Sequence, residues 1–113
     1  MTTLYHNPRC SKSRQTLHLL EEKGETIEVI KYLENPPSTQ ELKQVISLLG
    51  ITPKELVRTQ EAVWKETYKD KVLTDQEIIA AMIKHPILIE RPIAINGTRA
   101  AIGRPPEKVL DIL

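Results

Sequence analysis

One cysteine, Cys10, in a chain of 113 residues limits how this protein can hold itself together. It leaves no internal disulfide, no structural zinc site built from several thiolates, and no redox cycle between two thiols of the same chain. Folding must rest on buried apolar surface, and that surface has to be aliphatic: there is no Phe, and the aromatics are Tyr5, Tyr32, Trp64 and Tyr68. A chain of this length fits one compact domain, 1–113, burying a little over ~60% of its unfolded surface. With 16 Lys and Arg against 15 Asp and Glu the formal net charge is +1, so no global field attracts nucleic acid. No basic leader followed by an apolar run stands near the N-terminus, and no apolar stretch reaches bilayer length. A cytoplasmic location without a membrane partner is expected, where a lone thiol stays reduced.

Residues 2–5 are short and β-prone, and Pro8 keeps the polar loop His6-Asn7-Pro8-Arg9-Cys10 out of early helix. From Ser11 to Lys23 the residues favour helix, with Leu17 and Leu20 on one face and Gly24 as its stop. Ile27, Glu28 and Val29 alternate as a strand does, which completes a β-α-β unit ending near Tyr32. Beyond Asn35-Pro36-Pro37, three pairs of a hydroxyl cap with a carboxylate three residues on mark helix starts: Ser38 with Glu41, Thr52 with Glu55, Thr74 with Glu77. Leu42, Val45, Ile46 and Leu49 form the stripe of the first, and Ile78, Ile79, Met82 and Ile83 that of the third. Asn96-Gly97 between two β-capable runs signals a hairpin, and Pro105-Pro106 opens a short helix with Val109, Leu110 and Leu113 facing inward. The order β-α-β, helices, β-β-α predicts an α/β fold: a thioredoxin-like mixed sheet with an inserted helical subdomain.

Charge is balanced in total but not along the chain. Residues 1–20 hold no acid and carry Arg9, Lys12 and Arg14 around Cys10; residues 91–106 hold no acid and carry Arg91, Arg99 and Arg104. Backbone N–H groups at a helix start and nearby cations both favour a thiolate, so Cys10 reads as a reactive thiol with a lowered pKa. A protonated His6 would add a further cation. Arginine's planar fork suits a tetrahedral oxyanion, and in a thioredoxin-like layout the two cationic segments meet at one thiol. Arg58, between Glu55 and Glu61, reads from charge alone as a helix-surface residue. The isomer of the Arg91-Pro92 bond is not encoded visibly, although a proline entering the third strand of this fold is commonly cis and faces the active thiol. His18 and His85 have no metal-ligand spacing with Cys10, and no metal is expected.

Spacing separates the thiol chemistries. A tyrosine-phosphatase-like loop needs Arg six residues after Cys, where this chain has Thr16. A dithiol oxidoreductase needs Cys-x-x-Cys, and Cys10 is followed by Ser11, Lys12 and Ser13. A monothiol reaction that borrows an outside thiol is allowed.

Tyr5-His6-Asn7-Pro8-Arg9-Cys10 with 11–14, Tyr32-Leu33-Glu34-Asn35-Pro36-Pro37, His85 to Ile93, and Ile102-Gly103-Arg104-Pro105-Pro106-Glu107 with Val109-Leu110 together resemble the glutaredoxin-dependent arsenate reductase family, over essentially the whole chain. The resemblance implies Cys10 as nucleophile and Arg58, Arg91 and Arg104 as the oxyanion-binding arginines. It raises Arg58 above its charge-only reading and leaves Arg99 as a supporting residue beside Ser13 and Arg14. His6 matches the family histidine that helps keep the cysteine ionised, and Asn7 the polar residue beside it, which joins the three arginines as an expected substrate-binding residue. It further implies arsenate, or a related small oxyanion, as substrate, glutathione as co-substrate, no bound cofactor, and glutaredoxin as protein partner. In that order Cys10 attacks arsenic, glutathione attacks the adduct, and glutaredoxin removes the remaining mixed thiol linkage as arsenite is released.

Two other classes compete with this reading. A regulator resembling the Spx proteins would bind RNA polymerase, but those carry Cys-x-x-Cys where this chain has Cys10 and Ser13. A monothiol glutaredoxin-like exchange protein would show fewer arginines near its thiol and a Gly-rich segment near the C-terminus. No coiled-coil seam or other assembly element stands out, so a monomer is expected.

Overall fold

The computed structural model describes residues 1–113. Four strands form one mixed sheet in the order β2-β1-β3-β4: β1 is Thr2–His6, β2 Ile27–Lys31, β3 Ile93–Asn96 and β4 Arg99–Ile102. β1 pairs parallel with β2, setting His6 opposite Lys31, and antiparallel with β3, setting Tyr5 opposite Ile93. The parallel pair needs a crossover, supplied by helix α1 (Ser11–Glu22). Gly24, at φ 74°, turns the chain after α1 in a conformation that a side chain would resist. The Asn-Gly signal is realised as the β3–β4 hairpin, with Gly97 at φ 63°. This is the thioredoxin-like arrangement expected from the order of elements.

The chain divides into two compact units: residues 1–35 with 91–113, and residues 36–90 inserted between them. In the first, Leu4, Leu20, Ala94, Val109 and Ile112 form the core, with Leu17, Ile27 and Ala101 packed against it. Burying a leucine such as Leu4 stabilises the fold by roughly 1.5–3 kcal/mol, which is how an aliphatic core replaces cross-links. The polar Ser13 and Thr16 are also fully buried on the inner face of α1, a face that apolar spacing alone does not reveal.

The inserted unit contains α2 (Thr39–Leu49), α3 (Ala62–Thr67) and α4 (Asp75–Lys84). Ser38 with Glu41 and Thr74 with Glu77 form reciprocal capping boxes, as their spacing predicts. Thr52 with Glu55 opens only the single 3-10 turn Pro53–Leu56, because the chain then extends at Val57 to bridge Ile89. The polar stretch 60–73 supplies α3, anchored by buried Trp64.

The C-terminal helix, Pro106–Ile112, is 3-10 throughout. With three residues per turn, Pro106, Val109 and Ile112 share the buried face. Of the three residues expected to face inward, Val109 is fully buried and Leu110 half-buried, but Leu113 is exposed, because the expectation assumed an α-helical period. No helix is long and apolar enough to cross a membrane.

Candidate active site

The loop between β1 and α1 is fixed by its own polar groups. The Cys10 N–H donates to the Asn7 carbonyl at 3.0 Å. Asn7 Oδ1 accepts the Arg9 N–H at 3.0 Å, and the Asn7 N–H donates to Ser13 Oγ at 3.0 Å. Arg14 Nη1 donates to the Pro8 carbonyl at 2.8 Å. Asn7, Ser13 and Arg14 thus shape the loop that presents the thiol, and the oxygen of Asn7 serves that loop.

Cys10 occupies the N-cap of α1 in extended backbone, φ −94° and ψ 122°. An N-cap usually offers an oxygen to the second and third N–H groups of its helix. Here a half-buried sulfur stands in that position; it makes no regular cap hydrogen bond, yet the Ser13 and Lys12 N–H groups stabilise its anion. Burial is the largest single influence and pushes the thiol up. The Ser13 N–H, the Arg91 guanidinium acting by hydrogen bond and by charge, and the Lys12 N–H together outweigh it, leaving Cys10 below the ordinary cysteine value.

The second cationic segment meets the first here. Arg104 Nη2 donates to Cys10 Sγ at 3.6 Å, and Arg104 Nε donates to the Arg91 carbonyl at 2.7 Å, so one guanidinium touches the sulfur and ties down the backbone of the other arginine. Both Arg91-Pro92 and Arg104-Pro105 are cis. A thiolate beside two guanidiniums can attack the central atom of a small oxyanion whose oxygens the guanidiniums hold.

His6 takes a different part from that of an added cation. Its Nδ1 shares a 2.7 Å hydrogen bond with Ser13 Oγ, and the ring is buried. Burial first, then the charges of Lys31 and Arg14, lower its pKa. Desolvation thus favours the neutral ring, the form in which His6 adds no cation beside Cys10. Below the ordinary histidine value the unfolded chain takes up this proton before the native one, so the stability that neutral His6 contributes is lost as pH falls through its lowered value.

Arg99 is not brought to the thiol. It opens β4 at the turn end of the hairpin, exposed and opposite Asn96, whereas the arginines at the sulfur stand at the other end of the hairpin. Arg58 belongs to the inserted unit. There its N–H donates to the Leu88 carbonyl at 2.7 Å, and its guanidinium lies 3.5 Å from Glu61 and 3.7 Å from Glu90.

Three contributors escape apolar patterning. Lys31 helps hold His6 neutral. Thr16 donates its hydroxyl to the Lys12 carbonyl at 2.9 Å. Gly103 leaves room where a Cβ would stand 2.6 Å from Thr16 Oγ1 and 2.8 Å from Pro92 Cγ. The one visible signal was a glycine directly before Arg104. We expect Gly103→Ala to destabilise the protein by about 1–3 kcal/mol, because both neighbours are buried and neither is a flexible chain end. Urea unfolding checks this, and an unchanged midpoint would contradict the close packing.

The chain matches the ArsC family over residues 5–112. It is 46% identical over 112 residues to the arsenate reductase of Haemophilus influenzae, covering 97% of each chain. It is also 46% identical to the uncharacterized protein YfgD of Escherichia coli K12, covering 97% of this chain and 94% of that one. The solved arsenate reductase from Vibrio cholerae superposes with a TM-score of 0.95 at 49% identity, over 99% of this chain and 97% of its own. With the family match spanning β1 to the C-terminal helix and these similarities extending over both units, the chain belongs to the ArsC family.

Proposed function

We propose that this protein is a cytoplasmic arsenate reductase using glutathione and glutaredoxin. The observation that supports the reading most is the lowered Cys10 thiol against the guanidiniums of Arg91 and Arg104. The Cys10 thiolate attacks arsenic; a sulfur–arsenic bond forms, an arsenic–oxygen bond breaks, and the departing oxygen takes up protons and leaves as water. Arg91 and Arg104 stabilise charge on the remaining oxygens as it redistributes. Arg58 enters through the resemblance, as the third oxyanion-binding arginine. His6 and Ser13 position the loop. A glutathione thiol then attacks the adduct; arsenic gains two electrons and leaves as arsenite, and the two sulfurs end joined as a mixed disulfide. Glutaredoxin opens that disulfide and returns Cys10 as a thiol. A protein with one cysteine requires such an external thiol.

Alkylation of Cys10 across pH, with and without arsenate, tests this directly. The midpoint is expected below the ~8.5 of a free cysteine, so reactivity persists to lower pH than in an ordinary cysteine and is lost as pH falls through the lowered value. Arsenate is expected to protect the thiol. An ordinary midpoint without protection would remove the basis of the oxyanion site. Arsenite formation with glutathione and glutaredoxin separates the enzyme from a regulator, which would instead co-purify with RNA polymerase and form none.

A further inference from the structure

The parallel strands β1 and β2 end side by side, His6 opposite Lys31. At that end a cleft of about 290 Å³ opens, lined by buried His6 and Asn7 and by Pro8 and Arg9 of the thiol-bearing loop, together with Lys31, Leu33 and Glu34. Ligands of α/β sheets gather beyond the carboxyl ends of parallel strands. The cleft shares a wall with the catalytic loop, yet the arginines placed at the sulfur, Arg91 and Arg104, are not in its lining.

The cleft presents two cations, Arg9 and Lys31, and one carboxylate, Glu34, all exposed and none in an ion pair. Pro8 and the 39% exposed Leu33 add a short apolar surface. A lone inorganic anion would leave Glu34 opposing it and the apolar surface unused. The complementary ligand carries two carboxylates and one ammonium on a short body, about 10 Å long when extended over three residues. Because the chain has a single thiol and the loop that carries it lines this cleft, we infer that the cleft receives the external reductant, a small thiol peptide with two carboxylates and one ammonium, and directs its sulfur toward Cys10. The inference rests on the glutathione-dependent reading above and locates the co-substrate on this chain.

Binding of S-methylglutathione to the reduced full-length protein, followed by amide chemical shifts, tests the cleft without any reaction taking place. Shifts are expected at Arg9, Lys31, Leu33 and Glu34, weakening as salt is raised. Arg9→Glu and Lys31→Glu are each expected to raise Kd about fivefold or more, on the scale of an exposed ion pair lost and reversed. Lys23→Glu, on the surface at the end of α1, leaves Kd unchanged. The diethyl ester of the same probe, which lacks both carboxylates, binds weakly. Shifts confined elsewhere, an ester that binds equally well, or charge reversals without effect would overturn the inference. Arsenite formation without these shifts removes the cleft and leaves the enzyme reading standing; these shifts without arsenite formation do the opposite.

Discussion

Changing Cys10 to serine abolishes arsenate reduction, with a loss of about three orders of magnitude or more, the scale on which removal of an attacking nucleophile is felt. The surroundings of residue 10 favour an anion through the Ser13 and Lys12 N–H groups and Arg91. A serine hydroxyl keeps that setting but does not ionise within reach of neutral pH. No other cysteine exists to take over. The fold is expected to survive the change, because serine at the N-cap supplies the oxygen that helix starts prefer and Cys10 makes no regular cap bond. Arsenite release measured beside thermal melting separates the two effects. A variant that melts like the parent and makes no arsenite fits the assignment; one that still turns over places the nucleophile elsewhere.

How far residues announce their roles in sequence depends on whether those roles are local. Cys10 at a helix start, the capping boxes of Ser38 and Thr74, and the Asn96-Gly97 hairpin follow from chemistry within a few residues, and each stands in the structure. Arg91 and Arg104 were visible as cations in an acid-free segment, but their separation from Arg99 was not. That separation depends on hairpin register, which sends Arg99 to the turn and the other two to the far end. The charge state of His6 is hidden from the sequence for a related reason. Its charge depends on burial and on Lys31, which strand pairing places opposite it from 25 positions along the sequence. The inward face of the C-terminal helix required the period to be known: the 3-10 period buries Ile112 beside Val109, where the α period points to Leu110 and Leu113.

Arg91→Ala is expected to act on both the thiol and the turnover. Arg91 lowers the Cys10 pKa by hydrogen bond and by charge, so its loss moves the alkylation midpoint upward. Removing a group aimed at developing charge costs about 10²–10³ in kcat, which adds to any deficit of thiolate. The two contributions can be told apart. At a pH high enough to ionise the thiol fully, the pKa contribution disappears and the remaining deficit measures the lost stabilisation of the oxyanion. Arg91→Lys sharpens the distinction, because an ammonium restores a positive charge but not the planar fork that holds two oxygens at once. Its alkylation midpoint should fall back toward that of the parent while its kcat stays depressed. If lysine restored both, Arg91 would act through charge alone. If alanine left the midpoint where it was, the low thiol pKa would rest on the N-terminus of α1 and on Arg104, whose Nη2 lies 3.6 Å from the sulfur.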